Sequence, residues 1–243
     1  MRLVVTRPEP EASTFANELR SIGHEPVLQP LLEFRSLAFD PSAIREAQAL
    51  VITSGNALRV LQQQLDIGLV ANTPLFCVGA ETARRAAAAG FQTICGTALT
   101  ARDLANVIIA SGQRERRLLH IAGERRAFDL EGALSKEGFR IRAIEVYRMQ
   151  ERAAFDPWFA QMMSASEIDG AILMSPRTAE IYVSLCTRHG IAESAAKLSY
   201  YCLSAEVAAR LQGLGSPKLY VPQIPGRQAL IGLIAQTIYQ SDL

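Results

Sequence analysis

Six short apolar runs rich in β-branched residues punctuate the chain: Leu3–Thr6, Leu50–Thr53, Leu75–Val78, Leu118–Ile121, Ala171–Met174 and Tyr200–Leu203. Each is followed by a polar turn and then by apolar positions at the three- and four-residue spacing of an amphipathic helix. Strand–turn–helix units in series predict an α/β protein with parallel sheets. The runs are continuous rather than alternating, so their strands are expected to be covered on both faces.

The units also repeat. Arg2-Leu3-Val4-Val5, continuing through Leu19 to Gly23, lines up with Arg117-Leu118-Leu119-His120, continuing through Leu134 to Gly138. Leu50-Val51-Ile52-Thr53-Ser54 lines up with Ala171-Ile172-Leu173-Met174-Ser175, and Phe76-Cys77-Val78-Gly79-Ala80-Glu81 with Tyr201-Cys202-Leu203-Ser204-Ala205-Glu206. A duplicated unit of about half the chain predicts two similar α/β domains.

In open α/β sheets, ligands bind where strands hand over to helices, beside exposed helix N–H groups. The handovers here read Thr6-Arg7-Pro8, Thr53-Ser54-Gly55-Asn56, Gly79-Ala80-Glu81-Thr82, Gly123-Glu124-Arg125-Arg126, Ser175-Pro176-Arg177-Thr178 and Ser204-Ala205-Glu206. Ser, Thr and Asn at such places are ordinary helix caps. Capping does not call for arginine, and Arg7, Arg125 and Arg177 recur at one topological level. The set is therefore read as an anion-binding rim.

Composition narrows the chemistry. A net charge of +1 argues against a general nucleic-acid binder. No apolar stretch approaches the roughly 20 residues of a membrane span. The amino terminus turns polar after three apolar residues, so no secretory signal is expected and the protein is read as cytoplasmic. Cys77, Cys95, Cys186 and Cys202 form no CxxC pair, and are read as small core residues on buried strands rather than metal ligands. No dinucleotide, P-loop or nucleophile-elbow motif follows any strand, so no cofactor is expected. His24, His120 and His189 are scattered and are read as packing residues, with no triad or metal pair among them. Any catalysis is expected to work by orientation and backbone donors.

In order and spacing, these junctions resemble the uroporphyrinogen-III synthase family along nearly the whole chain. The resemblance rests on Thr6-Arg7-Pro8, Thr53-Ser54-Gly55-Asn56-Ala57, Val78-Gly79-Ala80-Glu81-Thr82-Ala83, Gly123-Glu124-Arg125-Arg126, Val146-Tyr147-Arg148 and Ser175-Pro176. Three positions depart from the pattern: Ser204 and Val207 stand where the family's last turn has Gly and Thr, and Met174 replaces the usual Thr before Ser-Pro.

The resemblance implies two flavodoxin-like parallel-sheet domains with a central cleft, joined by a two-stranded antiparallel linker at about Leu31–Leu37 and Arg142–Gln150. Domain one would be 1–35 with 151–243, and 36–150 would be an inserted domain two. It implies a cofactor-free, metal-free monomer acting on hydroxymethylbilane, with no nucleic acid or membrane as partner. Arg7, Thr53, Ser54, Asn56, Gly79, Thr82, Gly123, Arg125, Arg126, Ser175, Pro176, Arg177 and Ser204 would bind the substrate, and Tyr147 would assist departure of its hydroxyl. Two rival readings share the pattern: a non-catalytic receptor for an anionic small molecule, and a relative of the synthase that keeps the fold without turnover.

Overall fold

All six apolar runs form strands in the computed structural model, which describes residues 1–238. The chain begins with β1 (Arg2–Val5), α1 (Glu11–Ser21), β2 (Glu25–Leu28), β3 (Leu32–Ser36) and α2 (Pro41–Arg45). Then come β4 (Ala49–Ile52), α3 (Gly55–Gln64), β5 (Leu75–Val78), α4 (Ala80–Ala89), β6 (Ile94–Ala98) and α5 (Ala101–Ala110). Next follow β7 (Arg117–Gly123), α6 (Leu130–Lys136), β8 (Arg140–Glu151), α7 (Pro157–Ser164), β9 (Gly170–Leu173), α8 (Pro176–Arg188) and α9 (Ala192–Ala196). Last are β10 (Ser199–Cys202), α10 (Ala205–Ala209), β11 (Lys218–Tyr220) and α11 (Arg227–Ile238). Among the described residues, no helix is long and apolar enough to cross a membrane.

The chain divides into two compact units, Met1–Phe34 with the chain from Gln150 onward, and Arg35–Met149. The first holds a five-stranded sheet in the order β2-β1-β9-β10-β11, parallel throughout. Numbered within the unit, this is the flavodoxin order 2-1-3-4-5. Successive residues face opposite layers, which is why its strands read as continuous apolar runs. Val4, Ala171, Leu173, Tyr200 and Cys202 pack with α7, α8 and α9 residues on one side. Leu3, Val5, Ile172 and Tyr201 pack against α1 and α11 on the other.

The second unit's sheet has the order β3-β8-β7-β4-β5-β6, with β8 through β6 mutually parallel. Its own chain order reads 3-2-1-4-5 from β6 to β8. In space, however, β8-β7-β4-β5-β6 repeats β2-β1-β9-β10-β11 strand for strand. The pairs that match in sequence, β1 with β7, β9 with β4 and β10 with β5, occupy equivalent places. The two sheets are thus one arrangement entered at different strands.

The chain leaves and re-enters the first unit through β3 and β8, which are neighbours. Leu37 N–H donates to Val146 O at 2.8 Å, and Arg152 N–H donates to Leu31 O at 3.0 Å. As one position rises by six the other falls by six, which is antiparallel pairing.

Besides the paired strands β3 and β8, three strands have no counterpart among the apolar runs. β2, β6 and β11 are sheet edges, each paired on one side only, so they are partly exposed and short and need fewer apolar residues. The same exposure corrects the cysteine reading. Cys77 and Cys202 are buried on inner strands, and Cys186 is buried but on α8, while Cys95 is exposed on the edge strand β6.

Candidate functional site

Most of the handover hydroxyls are engaged by their own helices. Ser54 Oγ accepts from Asn56 N–H at 3.2 Å, Ser175 Oγ from Thr178 N–H at 3.1 Å, and Ser204 Oγ from Val207 N–H at 3.4 Å. Ser175 also shares a hydrogen bond with the Thr178 hydroxyl at 2.7 Å, and Pro176 occupies the first helical turn, where its missing N–H costs nothing. Asn56 is half-buried in the first turn of α3, and Thr82 is buried on α4. Gly79 caps α4 at φ +83°, a conformation that side chains resist, and its N–H donates to Ala98 O at 2.8 Å. Its counterpart Ser204 sits at φ −152°, extended backbone that serine adopts freely, so the glycine-to-serine departure carries no strain.

The arginines separate by what they hold. Arg177 pairs with Glu151 at 3.0 Å. Arg126 bridges Glu131 at 3.2 Å and Glu145 at 2.7 Å, so its donors are taken up within the protein. Arg125 is exposed, with no partner among the described residues. Arg7 differs: its Nε is buried and makes no hydrogen bond, while Nη1 reaches only Met174 Sδ at 3.3 Å, a weak acceptor. Arg7 lines a cavity of about 240 Å³ together with Pro10, Glu11, Thr14 and Arg227. Burial, joined by the like charge of Arg227, lowers the Arg7 pKa against the opposing pull of Glu11. Arg227, the first residue of α11, is held by Glu18 and lies over the Phe15 ring at 5.6 Å. Two larger hollows, of about 670 and 400 Å³, open at the amino-terminal edges of the sheets, away from the handovers.

The second unit carries a polar line that sequence reasoning did not assemble. His120 shares its strand face with Leu118 and is only 1% exposed. Burying an unpartnered imidazole there would cost several kcal/mol. Its Nδ1 is hydrogen-bonded to Glu131 Oε1 from the first turn of α6. Its Nε2 lies 2.9 Å from Thr53 Oγ1 at the carboxyl end of β4. Burial pushes the Glu131 carboxyl up, but the hydrogen bond and charge of His120, with Arg126 beyond, outweigh it and bring the pKa down to about 2. Thr53, His120 and Glu131 therefore form a hydrogen-bonded line: His120 is packed in the core, as the sequence suggested, but with both ring nitrogens engaged. It stands where β4 and β7 run side by side, the point at which the chain order of this sheet reverses.

Tyr147 lies on β8 opposite Gly123, at a shift in register between β7 and β8. A Cβ on Gly123 would stand 2.6 Å from Tyr147 Cζ and 2.8 Å from its Oη, so only glycine leaves the ring where it is. The half-buried phenol is thus held at the second unit's rim. Among the described residues, no group of three or more His, Cys, Asp or Glu side chains is placed to hold a metal ion.

Sequence reasoning missed His120, Glu131 and Arg227. A signal existed only for Arg227, which follows Pro225-Gly226 at the start of a helix, as another strand–helix handover. His120 and Glu131 are eleven residues apart, and only the return of α6 across β7 brings them together.

A family model described as Uroporphyrinogen-III synthase HemD matches residues 13–232. The porphyrin biosynthesis protein HemD of Ruminiclostridium josui is 31% identical over 94 residues, covering 34% of this chain and 19% of that protein. The chain thus spans about a fifth of the length of that relative. The solved uroporphyrinogen-III synthetase of Helicobacter pylori is similar over 97% of this chain and 98% of its own, with a TM-score of 0.63 at 17% identity. A mutant uroporphyrinogen III synthase of Thermus thermophilus covers 99% and 98%, with a TM-score of 0.57 at 17% identity. These structural likenesses speak to the fold, and the family model spans both units, so the chain belongs to the uroporphyrinogen-III synthase family.

Proposed function

We propose that the chain is catalytic and converts hydroxymethylbilane into uroporphyrinogen III, closing the linear tetrapyrrole with inversion of ring D and loss of water. The observation that carries this reading is Arg7. A half-buried guanidinium with an unfilled donor, facing a cavity beside a second guanidinium, suits the carboxylates borne by every ring of the bilane. Loss of the terminal hydroxyl gives an electrophilic azafulvene. The substituted carbon of ring D attacks it, and the spiro intermediate fragments and recloses with that ring inverted. Spontaneous closure omits the inversion and gives the type I isomer, so the protein's part is to hold the reacting ends in an order that solution disfavours. The sequence of steps moves no electrons to or from an outside partner, so no redox cofactor is called for.

In this reading the discontinuous domain, 1–35 with 151–243, and the inserted domain, 36–150, each offer a rim of handovers, and the protein acts as a cytoplasmic monomer. Incubation with hydroxymethylbilane, followed by oxidation and separation of the porphyrin isomers, tests the reading. A type III excess supports it. Type I alone, at the rate seen without protein, would leave a binding protein or an inactive relative.

Arg7→Ala is expected to raise KM about tenfold, or about 1.4 kcal/mol, with kcat less affected. Unchanged KM would remove Arg7 from the site. Tyr147→Phe keeps the ring against Gly123 and removes only the hydroxyl. It is expected to slow type III formation by up to about tenfold, as for loss of one hydrogen bond to the departing oxygen, with the melting curve unmoved. Wild-type turnover at saturating substrate would assign Tyr147 to packing alone.

A further inference from the structure

We propose that Thr53, His120 and Glu131 form a proton relay that donates to the departing hydroxyl of the substrate and recovers a proton when the ring closes. The inference rests on reading the second unit's rim as part of the synthase site. It adds the source and the sink of the proton, which the handover motifs do not supply.

The direction of each hydrogen bond follows from chemistry. An ionised carboxylate only accepts, so the Nδ1 of His120 against Glu131 must carry a hydrogen. Nε2, 2.9 Å from Thr53 Oγ1, then has two states. As imidazolium it donates to the threonine oxygen and leaves the Thr53 hydroxyl hydrogen free to point outward. As neutral imidazole it accepts that hydrogen and turns the threonine lone pairs outward. Thr53 is thereby a donor in one state and an acceptor in the other, without forming a free alkoxide. The charges around it balance: Arg126 from the β7–α6 loop lies between Glu131 and Glu145 of β8, and with imidazolium the four groups sum to zero. The triad spans the range the task requires, from a histidine sealed in the sheet layer to a half-buried hydroxyl at the carboxyl end of β4. A purely structural histidine would need neither a hydroxyl partner at the strand's carboxyl end nor a position at the reversal of strand order.

The proton count closes. The carbon–oxygen bond of the hydroxymethyl group breaks with its electron pair on oxygen. That oxygen takes the Thr53 proton and leaves as water, and Nε2 of His120 refills Thr53. The pyrrole nitrogen supplies electrons to the methylene carbon, giving the azafulvene in its protonated, cationic form. After reclosure, ring D regains its aromatic pyrrole by releasing the hydrogen of its attacking α-carbon. Neutral His120 takes this proton back through Thr53. One proton is lent and one returned, and no oxidant, reductant or metal takes part. Tyr147 stands at the same rim, where its phenol would assist departure by hydrogen-bonding the leaving oxygen, whereas the proton itself comes from the relay, which is reloaded from a buried base.

The test uses the full chain and hydroxymethylbilane. Thr53→Val replaces the hydroxyl by a methyl of similar shape, and is expected to lower kcat for type III formation by about 10²-fold with KM within about twofold. Thr53→Ser restores the hydroxyl and should recover most of that loss. His120→Gln keeps an amide able to hydrogen-bond Thr53 but has no nitrogen that can lend a proton. It is expected to match Thr53→Val in kcat, while the Thr53→Val/His120→Gln pair falls no further than either alone. Melting curves establish that each variant is folded. In the wild type, the Nδ1 proton of His120 should appear in NMR spectra far downfield and disappear in His120→Gln, a readout that needs no variant activity. Folded Thr53→Val or His120→Gln with wild-type kcat would overturn the relay, as would additive losses in the double variant. A wild-type chain that yields no type III product would overturn the synthase reading, and the relay with it.

Discussion

Glu131→Gln is expected to lower stability by about 2 kcal/mol near neutral pH, and the deficit should shrink as the pH falls. The carboxyl is brought from an ordinary value of 4.5 to about 2 in the folded protein, and its side chain is 19% exposed. A shift of that size corresponds to about 3 kcal/mol, and the amide keeps part of it by still accepting from His120 Nδ1. The sign follows from linkage. A depressed carboxyl pKa contributes stability that is fully present above about 4.5 and is lost as the pH falls through about 2. Wild type should therefore lose stability over that window faster than Glu131→Gln, and their urea midpoints should converge. A gap that stays constant between about pH 6 and about pH 3 would show that Glu131 acts through packing rather than charge. The same variant is also expected to slow turnover, because an amide no longer requires the hydrogen to reside on Nδ1.

Gly123→Ala is expected to cost about 1–3 kcal/mol and to displace Tyr147, although alanine is otherwise a mild change. The new methyl would meet three Tyr147 atoms at 2.6, 2.8 and 2.9 Å, and Gly123 is fully buried at the end of β7. A double-mutant cycle isolates the cause. In a Tyr147→Ala background, Gly123→Ala should cost less than about 0.5 kcal/mol, because the ring it collides with is gone. Equal costs in both backgrounds would place the strain in the strand itself. In the single variant, any loss of type III product should track that of Tyr147→Phe or exceed it, since the whole ring moves rather than one hydroxyl.

The inner strands and the duplicated pattern were legible in sequence because burial on both faces leaves continuous apolar runs. The edges were not: Glu25–Leu28, Ile94–Ala98 and Lys218–Tyr220 are half-covered, so their composition resembles that of the turns around them. The handovers were legible as a set, since strand ends and helix caps leave local signatures. What each residue does there was not. Ser54, Ser175 and Ser204 spend their hydroxyls on their own helices, and Arg126 and Arg177 spend their guanidinium donors on neighbouring carboxylates. A string of letters shows the donor but not its partner.

By itself, the sequence determined the α/β class, six of the seven inner strands, the twofold repetition and the kinship carried by motif order, because each is a local or periodic property of the chain. Tertiary structure alone decided that β8-β7-β4-β5-β6 and β2-β1-β9-β10-β11 are one sheet arrangement entered at different strands, since strand order depends on crossovers that no local pattern records. It also decided that Arg7 and Arg227, most of the chain's length apart, line one cavity, and that His120 joins Thr53 to Glu131. Each of those contacts is made by the packing of a helix or strand on its neighbours, and buried polar groups reveal their chemistry only once their partners are in place.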